Sequence, residues 1–372
     1  MIGLGDVITA LSRKLITVQA VTRFAMKLKS ISVYGLFNSY DHFIELSDEG
    51  LTYIHSPNGV GKSTTLKMIY DLFKGDVEEL SSLPFERMDA GFDDGTVVIV
   101  ENRNKELVFM VQRNELEETV SIEDVKEMFD IIYLSPERNT VKKMDGRLVP
   151  ALDLYAAEFN DRLVYAMNHT KLEPPVEKKR RDMDDGEFIF WCKDLKAKVD
   201  FIADAGLEVE IPPGYRFPPT RFDYTEDMEG YRGLAYSISD WVDRNYTLAE
   251  SNIVFLDVVN RLFNNKEVYL NERNQLSVRL DDGNGIPINR LSAGEKQVMI
   301  IFYRLLFHTK PGTLAIVDEP EISLHVSWQQ KMGSLFLDIS RTRDIQLLVA
   351  THSPQIIHDR WDLAKELRAE RA

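Results

Sequence analysis

The sequence predicts an α/β fold in which a phosphate-binding loop sits between a strand and a helix, with an antiparallel β-layer beside the parallel core. Three observations lead there. Leu51-Thr52-Tyr53-Ile54-His55 reads as a strand, Ser56-Pro57-Asn58-Gly59-Val60-Gly61 as a turn, and Lys62 opens a helix marked by Leu66, Ile69, Leu72 and Phe73. The apolar run Thr313-Leu314-Ala315-Ile316-Val317 ends in Asp318 and Glu319, as a buried strand of a parallel sheet does at its functional end. A further apolar strand, Leu347-Leu348-Val349-Ala350-Thr351, delivers His352 at its own end.

Strand, glycine turn and helix in that order form a P-loop. Small residues let successive backbone N–H groups curl around phosphates, Lys62 adds a mobile positive charge, and the Ser63 hydroxyl can ligate Mg²⁺. Ser56, Asn58, Gly59, Gly61, Lys62, Ser63 and Thr64 are therefore the nucleotide-binding candidates. Ser56 stands where the motif usually has its first glycine, so a position that often needs φ > 0 has to tolerate a Cβ.

Composition narrows the partners. A net charge of −15 does not suit a protein that tracks DNA with its whole surface, because Lys and Arg must replace the phosphate counterions. Any nucleic-acid contact is then a local patch, at Lys178-Lys179-Arg180-Arg181 or at Arg23 with Lys27 and Lys29, although either cluster taken alone reads more readily as a solvated loop or helix face. One cysteine, Cys192, supplies neither a disulfide framework nor a zinc cluster and suits a reducing cytoplasm. No apolar run approaches the ~20 residues that a membrane span needs. Arg13, Lys14 and Arg23 interrupt any signal-peptide core, and residues 1–26 read as an extension, with Met1 or Met26 as the start.

The elements follow in order. Lys27–Phe37 and Phe43–Leu46 are two antiparallel strands feeding the P-loop strand, and Thr96–Val100 with Leu107–Val111 is a hairpin that extends the β-layer. Ile131–Leu134 is a short strand ending in Ser135-Pro136-Glu137. Residues 27–149 thus make an amino-terminal lobe. Residues 150–250, broken by Pro174-Pro175, Pro212-Pro213-Gly214 and Pro218-Pro219, are an inserted, mainly helical interaction module with helices over Leu152–Met167, Phe188–Ala205 and Leu234–Arg244. Residues 251–372 make the carboxyl-terminal lobe, with a helix over Asn252–Phe263, strands over Glu267–Leu270 and Leu276–Leu280, and the apolar helix Val298–Phe307. That last helix begins at Leu291-Ser292-Ala293-Gly294-Glu295, where Ser292 and Glu295 have capping-box spacing.

P-loop, Leu-Ser-Ala-Gly-Glu, an apolar strand ending Asp-Glu-Pro, and Thr-His-Ser together resemble the ATP-binding-cassette (ABC) ATPases. The resemblance is to the soluble branch that includes RecF, the SMC proteins and the OLD ATPases, AAA-family ATPases in the broad bacterial sense. It covers residues 27–140 and 250–358. It implies ATP and Mg²⁺ as ligands, with Ser63 and Asp318 in the metal shell, Glu319 polarising the attacking water and His352 on the γ-phosphate. It implies also that heads dimerise around two ATPs, that Ser292, Gly294 and Glu295 act in trans on the partner's nucleotide, and that Ser323 lies in the D-loop. The Q-loop position stays open between Gln112 and Glu137, and no Toprim nuclease follows His352 before Ala372.

The functional expectation is a cytoplasmic ATPase that works as a dimer or larger homo-oligomer and regulates a separate effector, of the kind bacteria use against phage. The alternative is a DNA-transaction ATPase in repair or maintenance that clamps DNA through the assembled oligomer. An ATPase subunit of a membrane transporter ranks third, since the insertion and Glu321-Ile322-Ser323-Leu324-His325 are atypical of that branch.

Overall fold

The computed structural model describes residues 26–57, 59–114, 116–137, 139–142, 146–172, 183–367 and 370–371. They belong to two compact units, Met1–Asn139 with Ser292–Ala372, and Thr140–Leu291. The first unit begins with β1 (Leu28–Leu36), β2 (Tyr40–Glu45), β3 (Leu51–His55) and α1 (Lys62–Lys74). After α2 (Val77–Ser82) come β4 (Arg87–Phe92), β5 (Val97–Arg103), β6 (Glu106–Arg113), β7 (Leu116–Thr119), α3 (Ile122–Met128) and β8 (Ile131–Leu134).

The second unit holds β9 (Thr140–Lys142), β10 (Leu148–Pro150), α4 (Ala151–Asn168), α5 (Asp185–Asp204), α6 (Arg221–Glu226), α7 (Met228–Leu262), β11 (Lys266–Leu270), β12 (Leu276–Leu280) and β13 (Gly285–Ile286). The chain then returns to the first unit with α8 (Ala293–Phe307), β14 (Leu314–Asp318), α9 (Val326–Arg343), β15 (Gln346–Ala350), α10 (Pro354–Ile357), β16 (Ala364–Glu366) and β17 (Glu370–Arg371).

Two sheets make the first unit. A five-stranded sheet of order β16-β3-β15-β14-β8 is parallel at every described pairing, and a seven-stranded sheet of order β17-β2-β1-β4-β5-β6-β7 is antiparallel. Strands β14 and β15 are buried along their whole length, which is why they read as unbroken apolar runs rather than alternating ones. Helix α1 joins the sheets through one core in which its Leu66, Ile69, Leu72 and Phe73 meet Ile31 and Val98 of one layer and Ile316 and Leu348 of the other. Phe73, Phe92 and Phe129 close that core edge-to-face, with ring centroids 5.1–5.9 Å apart. The sheets are also tied by a buried amide: Leu28 N donates to Gln346 Oε1 at 2.8 Å, and Gln346 Nε2 donates to Leu28 O at 2.9 Å.

The second unit departs from the expectation in two ways. The helices expected over 234–244 and 252–263 are one continuous helix, α7, because the intervening residues contain neither Pro nor Gly, and burial of Asn245, Ala249, Ser251 and Asn252 carries its packed face through. The boundary expected at 250 therefore falls inside a helix, and the compact division runs to Leu291. This unit also contains the β9–β10 pair and the three-stranded β11-β12-β13 sheet, so it is less purely helical than its composition implied. Sequence periodicity passed over β4 in the first unit, where Gly91 and Asp89 blur the alternation. Residues 1–25, Pro174-Pro175 and the Lys178–Arg181 cluster lie outside the described residues.

Gln346→Ala removes the side-chain partners of both backbone groups of buried Leu28, so it is expected to cost about 2–4 kcal/mol. The midpoint of thermal unfolding should fall accordingly, whereas an unchanged midpoint would show that the amide bridge contributes nothing.

Candidate functional site

Four adjacent parallel strands, β3, β15, β14 and β8, end at one edge, and each carries a candidate segment past its last residue. The P-loop leaves β3, His352 follows β15, Asp318 closes β14 with Glu319 next, and Ser135-Pro136-Glu137 follows β8. A parallel sheet with aligned registers must bring these segments together.

In the P-loop the left-handed residues are Gly59 at φ 85° and Gly61 at φ 86°. Ser56 does not take a positive φ, so its Cβ costs no backbone strain, and its hydroxyl donates to Pro57 O at 3.1 Å. Gly61 is constrained by space as well: a Cβ there would stand 3.1 Å from Leu36 Cδ2, 3.3 Å from Phe37 Cε2 and 3.4 Å from His42 Cε1. His42 Nδ1 lies 2.8 Å from Thr65 Oγ1, which in turn donates to Gly61 O at 3.0 Å. Burial holds the His42 pKa below the ordinary imidazole value. The antiparallel layer thus grips the start of α1, a role for Leu36, Phe37 and His42 that no sequence motif signalled. Ser63 is exposed, Thr64 is half-buried, and Asn58 lies outside the described residues.

Lys62 is 6% exposed. Its Nζ donates to His352 Nε2 at 2.7 Å, and His352 Nε2 stands 3.7 Å from Glu319 Oε1. An ammonium has no lone pair, so Nε2 is the acceptor here and the imidazole proton is assigned to Nδ1. Burial lowers the Lys62 pKa, against the opposing fields of Asp318, Glu319 and Glu321. Glu319 occupies φ 46° and Ser323 φ 64°, a left-handed backbone that non-glycine residues adopt at a cost of roughly 1–3 kcal/mol each. Asp318 is fully buried; Tyr133 Oη donates to its Oδ2 at 2.9 Å, while Arg304 Nη1 donates to Tyr133 O at 3.0 Å. Tyr133 was visible in sequence only as a strand residue, and its direct pairing with Ile316 gives it this reach.

Ser292 caps α8 as its spacing predicts: its Oγ accepts from Glu295 N at 3.3 Å, and its own N–H donates to Glu295 Oε2 at 2.8 Å. Ser292 and Ala293 are exposed, while Gly294 and Glu295 are buried. A Cβ on Gly294 would stand 2.4 Å from Ser323 O, so glycine is required by a close approach within the same chain. The Q-loop candidates differ in placement. Gln112 pairs with Val97, which pairs with Gly91, itself opposite Ser30, so it lies level with the start of β1 and away from the Leu36–Phe37 end that meets the P-loop. Glu137 is exposed beyond the carboxyl end of β8, on the edge that carries Asp318. Lys27 and Lys29, offered as part of a basic patch, pair with Asp344 and Asp48.

The donor set fits Mg²⁺. Helix α1 packs against β14, which sets the Ser63 hydroxyl and the Asp318 carboxylate on neighbouring elements, and both are hard oxygen donors. Among the described residues no group of three or more His, Cys, Asp or Glu side chains could hold a metal, so phosphate and water would have to complete the shell.

A family model described as "AAA domain, putative AbiEii toxin, Type IV TA system" matches residues 161–358. The P-loop precedes that span and rests on its own motif and geometry. Among solved structures, the Smc head domain with an extended coiled coil bound to the C-terminal domain of ScpA, from Pyrococcus furiosus, is 12% identical with a TM-score of 0.46, covering 89% of this chain and 91% of that one. The SMC head domain from Thermotoga maritima is 15% identical with a TM-score of 0.43, covering 91% of this chain and 93% of that one. No curated protein matches the chain in sequence.

Asp71, on the P-loop helix, is buried with Lys67 3.5 Å away, and burial pushes its pKa up to about 6. A carboxyl whose pKa is raised on folding favours the folded state while protonated, so its contribution is lost as pH rises from about 4 to 6. Asp71→Asn should therefore raise the thermal midpoint at pH 8 relative to the parent, with the difference vanishing near pH 4. An equal difference at both values would contradict this assignment.

Proposed function

Since the chain belongs to the family described as an AAA domain, putative AbiEii toxin of a type IV TA system, we propose that it is an ATP-hydrolysing head that dimerises around two nucleotides and controls a separate effector in antiviral defence. The observation that carries this reading is the convergence of Lys62, Asp318, Glu319 and His352 at one sheet edge.

In this reading Lys62 leaves His352 for the β- and γ-phosphates, while the amides from Gly59 to Ser63 at the start of α1 cradle the same charge. Ser63 and Asp318 would hold a Mg²⁺ ion, which would supply positive charge to offset the phosphates. Tyr133 keeps the Asp318 carboxylate turned to the edge. Glu319 accepts the proton of the attacking water, and His352, released from Lys62, turns its imidazole N–H toward the γ-phosphate. The exposed Ser292, at the amino end of α8, suits a phosphate held by a second copy, with Gly294 and Glu295 setting the shape of that helix end. Two copies would then complete two sites.

Control of a partner, rather than DNA clamping, is supported by the net charge of −15, by the acidic partners of Lys27 and Lys29, and by a family description that names a type IV TA system. The acidic balance suits an effector with a basic face. A single buried cysteine and the need for ATP suit the cytoplasm.

Lys62→Ala should abolish nucleotide binding in calorimetric titration. Glu319→Gln should bind ATP, lose about 10²–10⁴-fold in phosphate release and accumulate as a dimer by light scattering. Ser292→Arg should bind ATP yet remain monomeric, by bulk at the shared phosphate. Wild-type phosphate release by Glu319→Gln would remove the base assignment.

A further inference from the structure

Past Glu319 the chain turns through Pro320–Leu324 before α9 begins, and the turn is held from several sides. Gln297 of α8 donates from Nε2 to Pro320 O at 3.4 Å, and Gln329 of α9 donates from Nε2 to Leu324 O at 3.0 Å. Ser353 Oγ donates to Gln329 Oε1 at 2.6 Å, which ties the turn to the residue after His352. Gly294 meets the same turn at Ser323 O, too closely for any side chain.

Glu321 lies in the middle of this turn. Its Oε1 accepts the backbone N–H of His352 at 2.6 Å, a short charge-assisted hydrogen bond. The sheet itself offers that amide no equivalent: the preceding residue, Thr351, still donates to Ile54 O of β3 at 3.0 Å, but β15 ends at Ala350. The carboxylate of Glu321 therefore continues, for one residue, the work of the ladder. His352 hangs from that amide with its Nε2 2.7 Å from Lys62 Nζ and 3.7 Å from Glu319 Oε1.

We propose that Glu321 is a positioning residue, which holds the His352 amide so that the imidazole meets Lys62 and, with nucleotide bound, the γ-phosphate. The turn that carries it links this setting to the amino end of α8 through Gln297 and Gly294. The proposal rests on the reading of His352 as a phosphate contact. Glu321 is then neither the base nor a metal ligand, and its carboxylate acts through the main chain of another residue.

The test uses the full chain with its seven histidines selectively ¹⁵N-labelled, the His352 amide being assigned by its loss in His352→Gln. Without nucleotide, Glu321→Ala should move the His352 amide resonance upfield and speed its hydrogen exchange, while Glu321→Gln, which keeps an acceptor oxygen, should leave both near the parent values. With Mg²⁺ and ATP, Glu321→Ala should lower kcat about 10- to 100-fold through misplacement of His352, with KM changed less than about twofold. Glu321→Gln should recover most of that loss. An unmoved amide in Glu321→Ala overturns the proposal, and so does an equal loss of kcat in both variants, which would assign the carboxylate a direct charge role. If the parent does not hydrolyse ATP, the functional reading fails, and the amide measurement still decides the role of Glu321.

Discussion

A lysine that is only 6% exposed needs its charge answered nearby, and most of the architecture around the site follows from that need. Asp318, Glu319 and Glu321 all act on Lys62, and His352 takes its hydrogen bond. Asp318, Glu319 and Glu321 set three acidic side chains within electrostatic reach of that one ammonium. A divalent cation would offset their repulsion of an anionic nucleotide, which agrees with the donor chemistry of Ser63 and Asp318. A parallel ladder meets this constraint directly, because it delivers P-loop, acid pair and histidine from three neighbouring strand ends without long loops.

The two sheets divide the work. The parallel sheet supplies the charged groups, while the antiparallel layer grips the glycine turn through Leu36, Phe37 and His42. Gln346 ties the first residue of β15 to the first of β1, so the strand that carries His352 and the layer that grips the P-loop share one anchor. Such placement leaves the left-handed backbone at Glu319 and Ser323 as local strain held by a rigid surround.

Much of this was legible in the sequence because it is local. The P-loop, the capping box at Ser292, the apolar strands and the polar residues at their ends are all read from neighbours in the chain, and the structure has each element where its pattern lies. What escaped depends on distant neighbours. Tyr133 reaches Asp318 only because β8 pairs with β14, and Glu321 reaches His352 only because the turn after β14 passes the end of β15. Gln112 was plausible as the residue after a strand, but register puts it level with Ser30 at the other end of the layer. Gly294 was read for its place in a motif, whereas the close approach of Ser323 O is a packing fact with no local signal. The continuity of α7 was hidden because Asn245, Thr247 and Ser251 are weak helix formers that read locally as a break, whereas burial of Asn245, Ala249, Ser251 and Asn252 carries the helix through.

The most direct measurement is the structure of the full chain with Mg²⁺ and a non-hydrolysable ATP analogue, and the distance it gives between Lys62 Nζ and His352 Nε2. That distance is 2.7 Å in the structure described above. With the nucleotide bound, the pair is expected to open beyond hydrogen-bond reach, with phosphate oxygens taking Lys62 and the cation held between Ser63 and Asp318. A nucleotide bound elsewhere, or one bound at the loop with the Lys62–His352 hydrogen bond intact, would contradict it.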